Sequence, residues 1–266
     1  MKTAIYTVIL NEQYYLEDFI RYHTNLGVDT LFIFEDMNSN SHKHITDKYP
    51  NVILKSILDL FEGEEKEKII QKKKDGKFVQ SDYAHKGLMY IKNNHQDIDW
   101  TFSLDIDEYI TPTEPFPSLM TAFQDYDGIM LYWQNYGAAG HVFKPKYDKP
   151  IYEIYTGKTG YFATDFKNRN ITKMAYNMHR LKNEYIFGVH TAKCNWVRTD
   201  FGVHRTDPPC FDKIYLRHYI TKSWEEYYHK LKHRGMFCGG YRKLEQFFEL
   251  NPDMISLKDE LIKGML

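Results

Sequence analysis

The sequence predicts an α/β fold with a mostly parallel sheet, and three observations carry that expectation. Short β-branched or aromatic runs alternate with helical patterns through the first part of the chain. An apolar run over residues 100–104 ends abruptly in Asp105-Ile106-Asp107-Glu108. The length of 266 residues suits one large domain, or one domain with a modest appendage.

Residues 4–10 read as a buried first strand. Residues 12–26 carry a helical stripe of Tyr15, Leu16, Phe19, Ile20, Tyr22 and His23 that Gly27 ends. Strands are expected at 30–35 and 52–56, with a polar turn and a short helical piece, 45–49, between them. The mixed charges of 62–77 mark a solvated helix or loop without a catalytic role. A helix over 81–93 then leads to the strand at 100–104. Beyond it the sequence predicts a helix at 118–124, a strand at 128–133, a small-residue loop at 134–140 and loops with one helical segment over 144–171. Short strands at 186–190 and 193–197 precede a helix at 223–234, which opens on Ser223 with Glu226 three residues on, a capping box.

Composition excludes several classes. Lys plus Arg number 35 and Asp plus Glu 36, so no overall field gathers nucleic acid. The three cysteines form no CxxC pair, which argues against a disulfide framework or a cysteine zinc site and for a reducing cytosol. No apolar stretch is long enough for a transmembrane helix, and membrane contact is expected to be peripheral at most. Gly137-Ala138-Ala139-Gly140 lacks the patterns of dinucleotide or P-loop sites. Its small residues are read as allowing close approach of a sugar ring.

The chemistry concentrates at the end of the 100–104 strand, where ligands of open parallel sheets bind. Asp105 and Asp107, two apart on an extended chain, are expected to face one side and hold one Mg2+ or Mn2+ through hard oxygen ligands. Such an ion neutralises charge on a leaving diphosphate. The structural alternative is an ion pair with Lys173 or Arg217. A second cluster, His218-Tyr219 with Thr221-Lys222-Ser223, delivers an imidazole for the metal sphere and an ammonium, a hydroxyl and helix N–H groups for a diphosphate. A capped helix with a surface cation is the alternative there.

These motifs together resemble GT-A glycosyltransferases of the group related to families 2 and 92, long filed under an unknown-function domain heading. The likeness runs through Asn11-Glu12, Leu16-Glu17-Asp18-Phe19, Tyr22-His23, Gly27, Trp100, Leu104 to Ile110, Trp133 to His141, Lys173, His190, His218-Tyr219, Thr221-Lys222-Ser223, Glu226, Lys230 and Arg234-Gly235.

The resemblance implies a Rossmann-like nucleotide-binding sheet, with residues 1–110 as the nucleotide-sugar half ending in the DxD and 111–266 as the acceptor-binding C-terminal part of the same domain. It implies a metal-dependent transfer of a hexose, with inversion, from a nucleotide-sugar such as UDP-galactose to a saccharide or lipid-linked glycan. That reaction belongs to cell-surface polysaccharide or glycan assembly, in the cytoplasm at the inner face of the membrane. Asn11, Glu12, Asp36, Asp105, Lys173, Lys222 and Ser223 would contact the donor. Asp105, Asp107 and His218 would hold the metal. Trp133, Gly137, Gly140 and His141 would form the acceptor loop.

Inverting transfer needs a base. Asp207 is the choice by position, with Asp212 and Glu153 behind it. Glu108 and His190 are the other residues placed in the catalytic set, Glu108 as a brace. Two departures stand out: Phe34-Glu35-Asp36-Met37-Asn38-Ser39-Asn40 where relatives read Tyr-Asp-Asn-x-Ser-x-Asp, and Gly-Ala-Ala-Gly for Gly-Ser-Ser-Gly. The rival readings are a metal-dependent phosphohydrolase or nucleotidyltransferase, and a non-catalytic glycan-binding protein.

Overall fold

The computed structural model describes residues 1–77, 79–146, 149–159, 171–182, 190, 196–198, 209–233 and 244–264. In chain order the elements are β1 (Thr3–Ile9), α1 (Leu16–Leu26), β2 (Thr30–Glu35), α2 (Lys43–Thr46), β3 (Val52–Ser56), a single 3-10 turn (Ile57–Leu60), α3 (Gly63–Lys74) and α4 (Gln80–Asn94). They continue with β4 (Trp100–Ser103), β5 (Glu108–Pro112), α5 (Phe116–Ala122), β6 (Gly128–Tyr136), α6 (Ile151–Ile154), β7 (Thr172–Asn177), β8 (Trp196–Arg198) and β9 (Ile214–Tyr219). The chain closes with α7 (Trp224–His233), α8 (Leu244–Leu250), a 3-10 segment (Pro252–Leu257) and α9 (Lys258–Lys263).

The strands form one mixed sheet in the order β3-β2-β1-β4-β7-β6-β9-β5, with β8 beside β6. The fold is the expected α/β, Rossmann-like architecture. The parallel block is β3, β2, β1 and β4, whose registers include Ile9 with Glu35 and Tyr6 with Ser103. The sheet departs from parallel at β7, which runs antiparallel to both β4 and β6. Because β2 lies on one side of β1 and β4 on the other, the strand order reverses about β1. That is the switch point at which such sheets open a crevice beyond their carboxyl ends.

The chain divides into two compact units, Met1–Trp133 with Ala163–Leu216, and Gln134–Phe162 with Arg217–Leu266. In the first, alternate strand residues Ala4, Tyr6, Phe32, Phe34, Met130, Tyr132, Met174 and Tyr176 share one core with Tyr83, Ala84, Leu88 and Ile91 of α4. These helix positions recur at three and four residues, so one stripe of α4 is buried. On the other parity Ile5, Leu31, Ile33 and Phe102 are equally buried, as strands covered on both faces require. In the second unit Ala138, Trp224, Tyr227, Phe247, Phe248 and Met254 form a separate core.

Local chemistry explains the ends of the elements. Gly27 stops α1 at φ 102°, a left-handed conformation that lets its N–H and that of Val28 reach the Thr24 and His23 carbonyls. The charged stretch forms α3, a helix that buries only Ile69 and places Glu64 and Glu65 in its first turn and Lys72, Lys73 and Lys74 in its last, as the helix dipole favours.

Gly87 is small for another reason. An added Cβ would drive into the Tyr6 ring, which lies against the α4 backbone there. Gly87→Ala is therefore expected to lower stability by about 1–3 kcal/mol through overpacking, despite the ~1 kcal/mol advantage of alanine in a free helix. Urea unfolding checks this, and a more stable variant would refute the tight approach.

Candidate functional site

β4 ends one residue before the acidic stretch. The Leu104 N–H still donates to the Tyr6 carbonyl at 3.0 Å, continuing the pairing with β1, and the chain then turns. Asp105 to Glu108 is a closed turn: the Glu108 N–H donates to the Asp105 carbonyl at 3.1 Å, and the Asp105 N–H donates to Glu108 Oε2 at 2.9 Å. The expected extended Asp-x-Asp is thus corrected to a turn, because the Glu108 side chain folds back onto its start. Glu108 thus ties the two ends of the turn together.

Lys173 supplies the counter-charge. It stands in β7 opposite Leu131 of β6, with its side chain 2% exposed. Its Nζ donates to Asp105 Oδ2 at 2.8 Å and lies 3.6 Å from Glu108 Oε2. Burial works to lower the Lys173 pKa, but Asp105 and then Glu108 outweigh it, so the ammonium is held charged. Burial pushes the Glu108 carboxyl well above the usual range against the opposing pull of Lys173, and Asp105 and Asp107 add to the rise. One oxygen of this fully buried carboxyl is committed to the Asp105 N–H. Asp105 itself is 48% exposed and Asp107 9%. One carboxylate oxygen of Asp105 is thus held from within, as the structural alternative anticipated for Lys173.

His190 belongs to the same unit. Its ring Nδ1 is 3.2 Å from the Thr172 carbonyl, Thr172 Oγ1 donates to the His190 carbonyl at 3.0 Å, and the Trp133 ring meets the imidazole edge-on at 5.5 Å. His190 is therefore tied to the residue beside Lys173. Asp207, expected as the base, lies outside the described residues, as do Arg234 and Gly235.

The loops after β1 and β2 are laced to each other. Asn11 adopts φ 55°, its Oδ1 accepts from the Asn40 N–H at 2.9 Å, and its own N–H donates to Ser39 Oγ. The Glu12 N–H donates to His42 Nε2, while His42 Nδ1 and the His42 N–H both reach Glu35 Oε1. Glu35, the departure noted in the sequence, is spent on this brace, and Asp36 beside it is buried at 3% exposure. There Asp36 Oδ1 accepts from the Met37 N–H at 2.6 Å and the Tyr83 hydroxyl at 3.4 Å, and Oδ2 meets the Lys73 ammonium. Lys73, from the helix given no role in the sequence, was not foreseen here. Its charge lay hidden among those of its neighbours.

The second unit holds the remaining residues. His218 is buried, and its Nδ1 lies 2.9 Å from Asn135 Oδ1. Donation from Nδ1 to that oxygen places the ring lone pair on Nε2, the tautomer in which histidine ligates metals. Ser223 works as a helix cap: its Oγ donates to Glu226 Oε2 at 2.8 Å, and the same oxygen accepts from the Tyr155 hydroxyl at 2.7 Å. The N–H groups of Trp224 and Glu225 donate to the His141 and Val142 carbonyls, and those of Glu226 and Tyr227 to Ser223. The first turn of α7 is therefore satisfied within the chain, the capped-helix alternative. Lys222, at φ 58°, is buried beside it.

The small-residue loop also differs from expectation. A Cβ on Gly137 would collide with Asn251 Oδ1, and the Ala138 N–H donates to that oxygen. Asn251 further donates to the Phe247 carbonyl at 2.7 Å and Thr221 Oγ1 at 3.3 Å. Gly137 thus admits a buried asparagine, which corrects the idea that it makes room for a sugar ring. Gly140 is required at φ 78° to bring the loop round, and the His141 ring packs edge-on against Tyr155 at 5.6 Å.

Among the described residues no group of three His, Cys, Asp or Glu side chains forms a closed metal cage, and no helix is long and apolar enough to cross a membrane. Asp105 and Asp107 are hard oxygen groups of the kind of which Mg2+-type ions take one or two, completing their sphere with substrate phosphate and water.

No protein-family model matches the sequence, and no curated protein matches it. Solved structures similar to this chain include 4-diphosphocytidyl-2C-methyl-D-erythritolsynthase from Anaerococcus prevotii DSM 20548, at 9% identity over 67% of this chain and 72% of that one, with TM-score 0.35. A second 4-diphosphocytidyl-2C-methyl-D-erythritol synthase is 12% identical over 67% and 76%, with TM-score 0.37. HddC from Yersinia pseudotuberculosis is 8% identical over 86% and 97%, with TM-score 0.45.

Proposed function

We propose that the chain is a metal-dependent glycosyltransferase that moves a hexose from a nucleotide-sugar, a uridine diphosphate sugar first among them, to a saccharide acceptor. The observation that carries this is the braced acidic turn at the carboxyl end of β4, beside the point where the strand order reverses about β1. Ligands of such sheets bind beyond the carboxyl ends of the strands, which supports a donor diphosphate near this turn.

In such a transfer an acceptor hydroxyl oxygen bonds to the anomeric carbon, the bond from that carbon to the diphosphate oxygen breaks, and the hydroxyl proton leaves to a base. Asp107 and Asp105 would hold the Mg2+ or Mn2+, which when bound neutralises charge on the departing diphosphate. Lys173 and Glu108 keep the Asp105 end of the turn in place.

With a UDP-hexose, Mn2+ and an oligosaccharide panel, the wild type is expected to release UDP and transfer sugar, read by mass spectrometry. Asp107→Ala is expected to lower the rate at least about 100-fold, the equivalent of ~3 kcal/mol of barrier, with an unchanged circular dichroism spectrum. Transfer undiminished in that variant would sink the proposal. Release of UMP and hexose 1-phosphate with no sugar transferred would establish a phosphohydrolase, and release of pyrophosphate when a nucleoside triphosphate and a sugar 1-phosphate replace the UDP-hexose would establish nucleotidyl transfer, since the same two carboxylates serve either reaction. Absence of any thermal shift with Mn2+ and nucleoside diphosphates together would favour a non-catalytic glycan binder.

A further inference from the structure

Neither a motif nor its place in the strand draws attention to Tyr6. It lies on the central strand β1, 4% exposed, with its ring against Gly87 of α4 and 5.5 Å from the Phe34 ring. Its hydroxyl oxygen is buried and meets no hydrogen-bond partner among the described residues. Buried hydroxyls are paired as a rule, and a phenylalanine would fill this place without the cost of a stranded O–H.

The surroundings say what could pair with it. Burial holds the phenol far above its ordinary pKa, with the charges of Asp105 and Tyr83 raising it further, so it is a neutral donor. Tyr83 in turn donates to Asp36. Asp36 already meets Met37, Tyr83 and Lys73, so this carboxylate, expected from the sequence to read the donor, is occupied. Tyr6 is thus tied to both loops: its ring lies on Gly87, one turn of α4 from the Tyr83 that reaches Asp36, and its carbonyl accepts from the Leu104 N–H that precedes Asp105.

Resting on the nucleotide-sugar reading above, we propose that the Tyr6 hydroxyl reads the nucleoside half of the donor, donating to an acceptor atom of its base or ribose, while Gly87 sets the depth of the ring. Tyr6→Phe removes the hydroxyl and keeps the ring on Gly87. Its urea midpoint is expected to equal or exceed that of the wild type, since no partner within the described protein is lost.

Titration calorimetry with Mn2+ and UDP is expected to show about 10-fold weaker binding by Tyr6→Phe, the worth of one hydrogen bond. Binding of inorganic pyrophosphate, which lacks a nucleoside, is expected to be unchanged. UDP affinity equal to wild type, or equal weakening toward UDP and pyrophosphate, overturns the role given to Tyr6 and leaves the transferase reading standing. A wild-type protein that binds none of UDP, CDP, GDP, ADP or dTDP overturns both together.

Discussion

Lys173→Met is expected to destabilise the protein by about 3–5 kcal/mol, the usual cost of removing one partner from a buried ion pair. Lys173 is 2% exposed, Glu108 is fully buried, and the ammonium lies within 3.6 Å of Glu108 and 2.8 Å of Asp105. Methionine matches the length of the stem, so lost packing contributes little and the lost charge most of the effect. Asp105, half exposed, regains water, whereas Glu108 has none to regain and holds its proton to still higher pH.

That response has a sign. In the variant the folded pKa of Glu108 lies still further above its unfolded value, so the folded state binds the extra proton between the two values and loses stability as pH rises through that window. The deficit of Lys173→Met should grow from mildly acidic to alkaline pH in urea unfolding. Adding Glu108→Gln, which keeps an acceptor for the Asp105 N–H, should recover more than half of the loss. A single variant within about 1 kcal/mol of wild type at neutral pH would show that the ammonium is not the keystone of the turn.

Acidification acts through a different residue. His23 is fully buried on α1, its Nδ1–H donating to the Phe19 carbonyl at 2.9 Å and its Nε2 accepting the Ile110 N–H of β5 at 3.2 Å. Burial lowers its pKa to about 3. Below pH 6.5 the unfolded chain takes up a proton that the folded chain refuses, so the contribution is fully present above 6.5 and is lost as pH falls toward 3, by about 1.4 kcal/mol per unit. Between pH 7 and pH 5 that amounts to about 2 kcal/mol from this one group. His23→Gln retains an acceptor but does not titrate. Its urea-derived stability should fall less over the same interval by that amount, and parallel profiles for the two proteins would exclude His23 as the source.

The parts of this fold that could be read beforehand are those whose reasons are local. β2 and β3 fall on the expected residues because apolar, β-branched runs are bounded there by turn chemistry, and α1 stops at Gly27 as its sequence requires. What escaped is set by distance along the chain. β7 was missed because Lys173 interrupts its apolar pattern, and a lysine reads as a surface residue until the three carboxylates near it are known. β5 was missed because Glu108 looked like the tail of an acidic loop, although it begins a strand and is fully buried.

The site shows the same division. Asp105 and Asp107 were visible as a motif, but not the turn that Glu108 closes. Asn251, against Gly137 and Ala138, could not be foreseen from a loop 113 residues away. Tyr6 was hidden for the opposite reason, since an aromatic residue in a central strand is expected in the core and its ring is there; only its hydroxyl lacks a partner among the described residues.

Asn251 has a consequence for how the protein is made. The second unit joins Gln134–Phe162 to Arg217–Leu266, so the small-residue loop is synthesised long before the asparagine that fills it and before Phe247 and Phe248 of its core. On the ribosome, therefore, that loop must wait with its apolar surface and its Ala138 N–H unsatisfied while the rest of the first unit is completed. Closing so long a segment is slow compared with local helix formation. Until then this stretch is open to chaperones, to proteases and to other nascent copies of the chain.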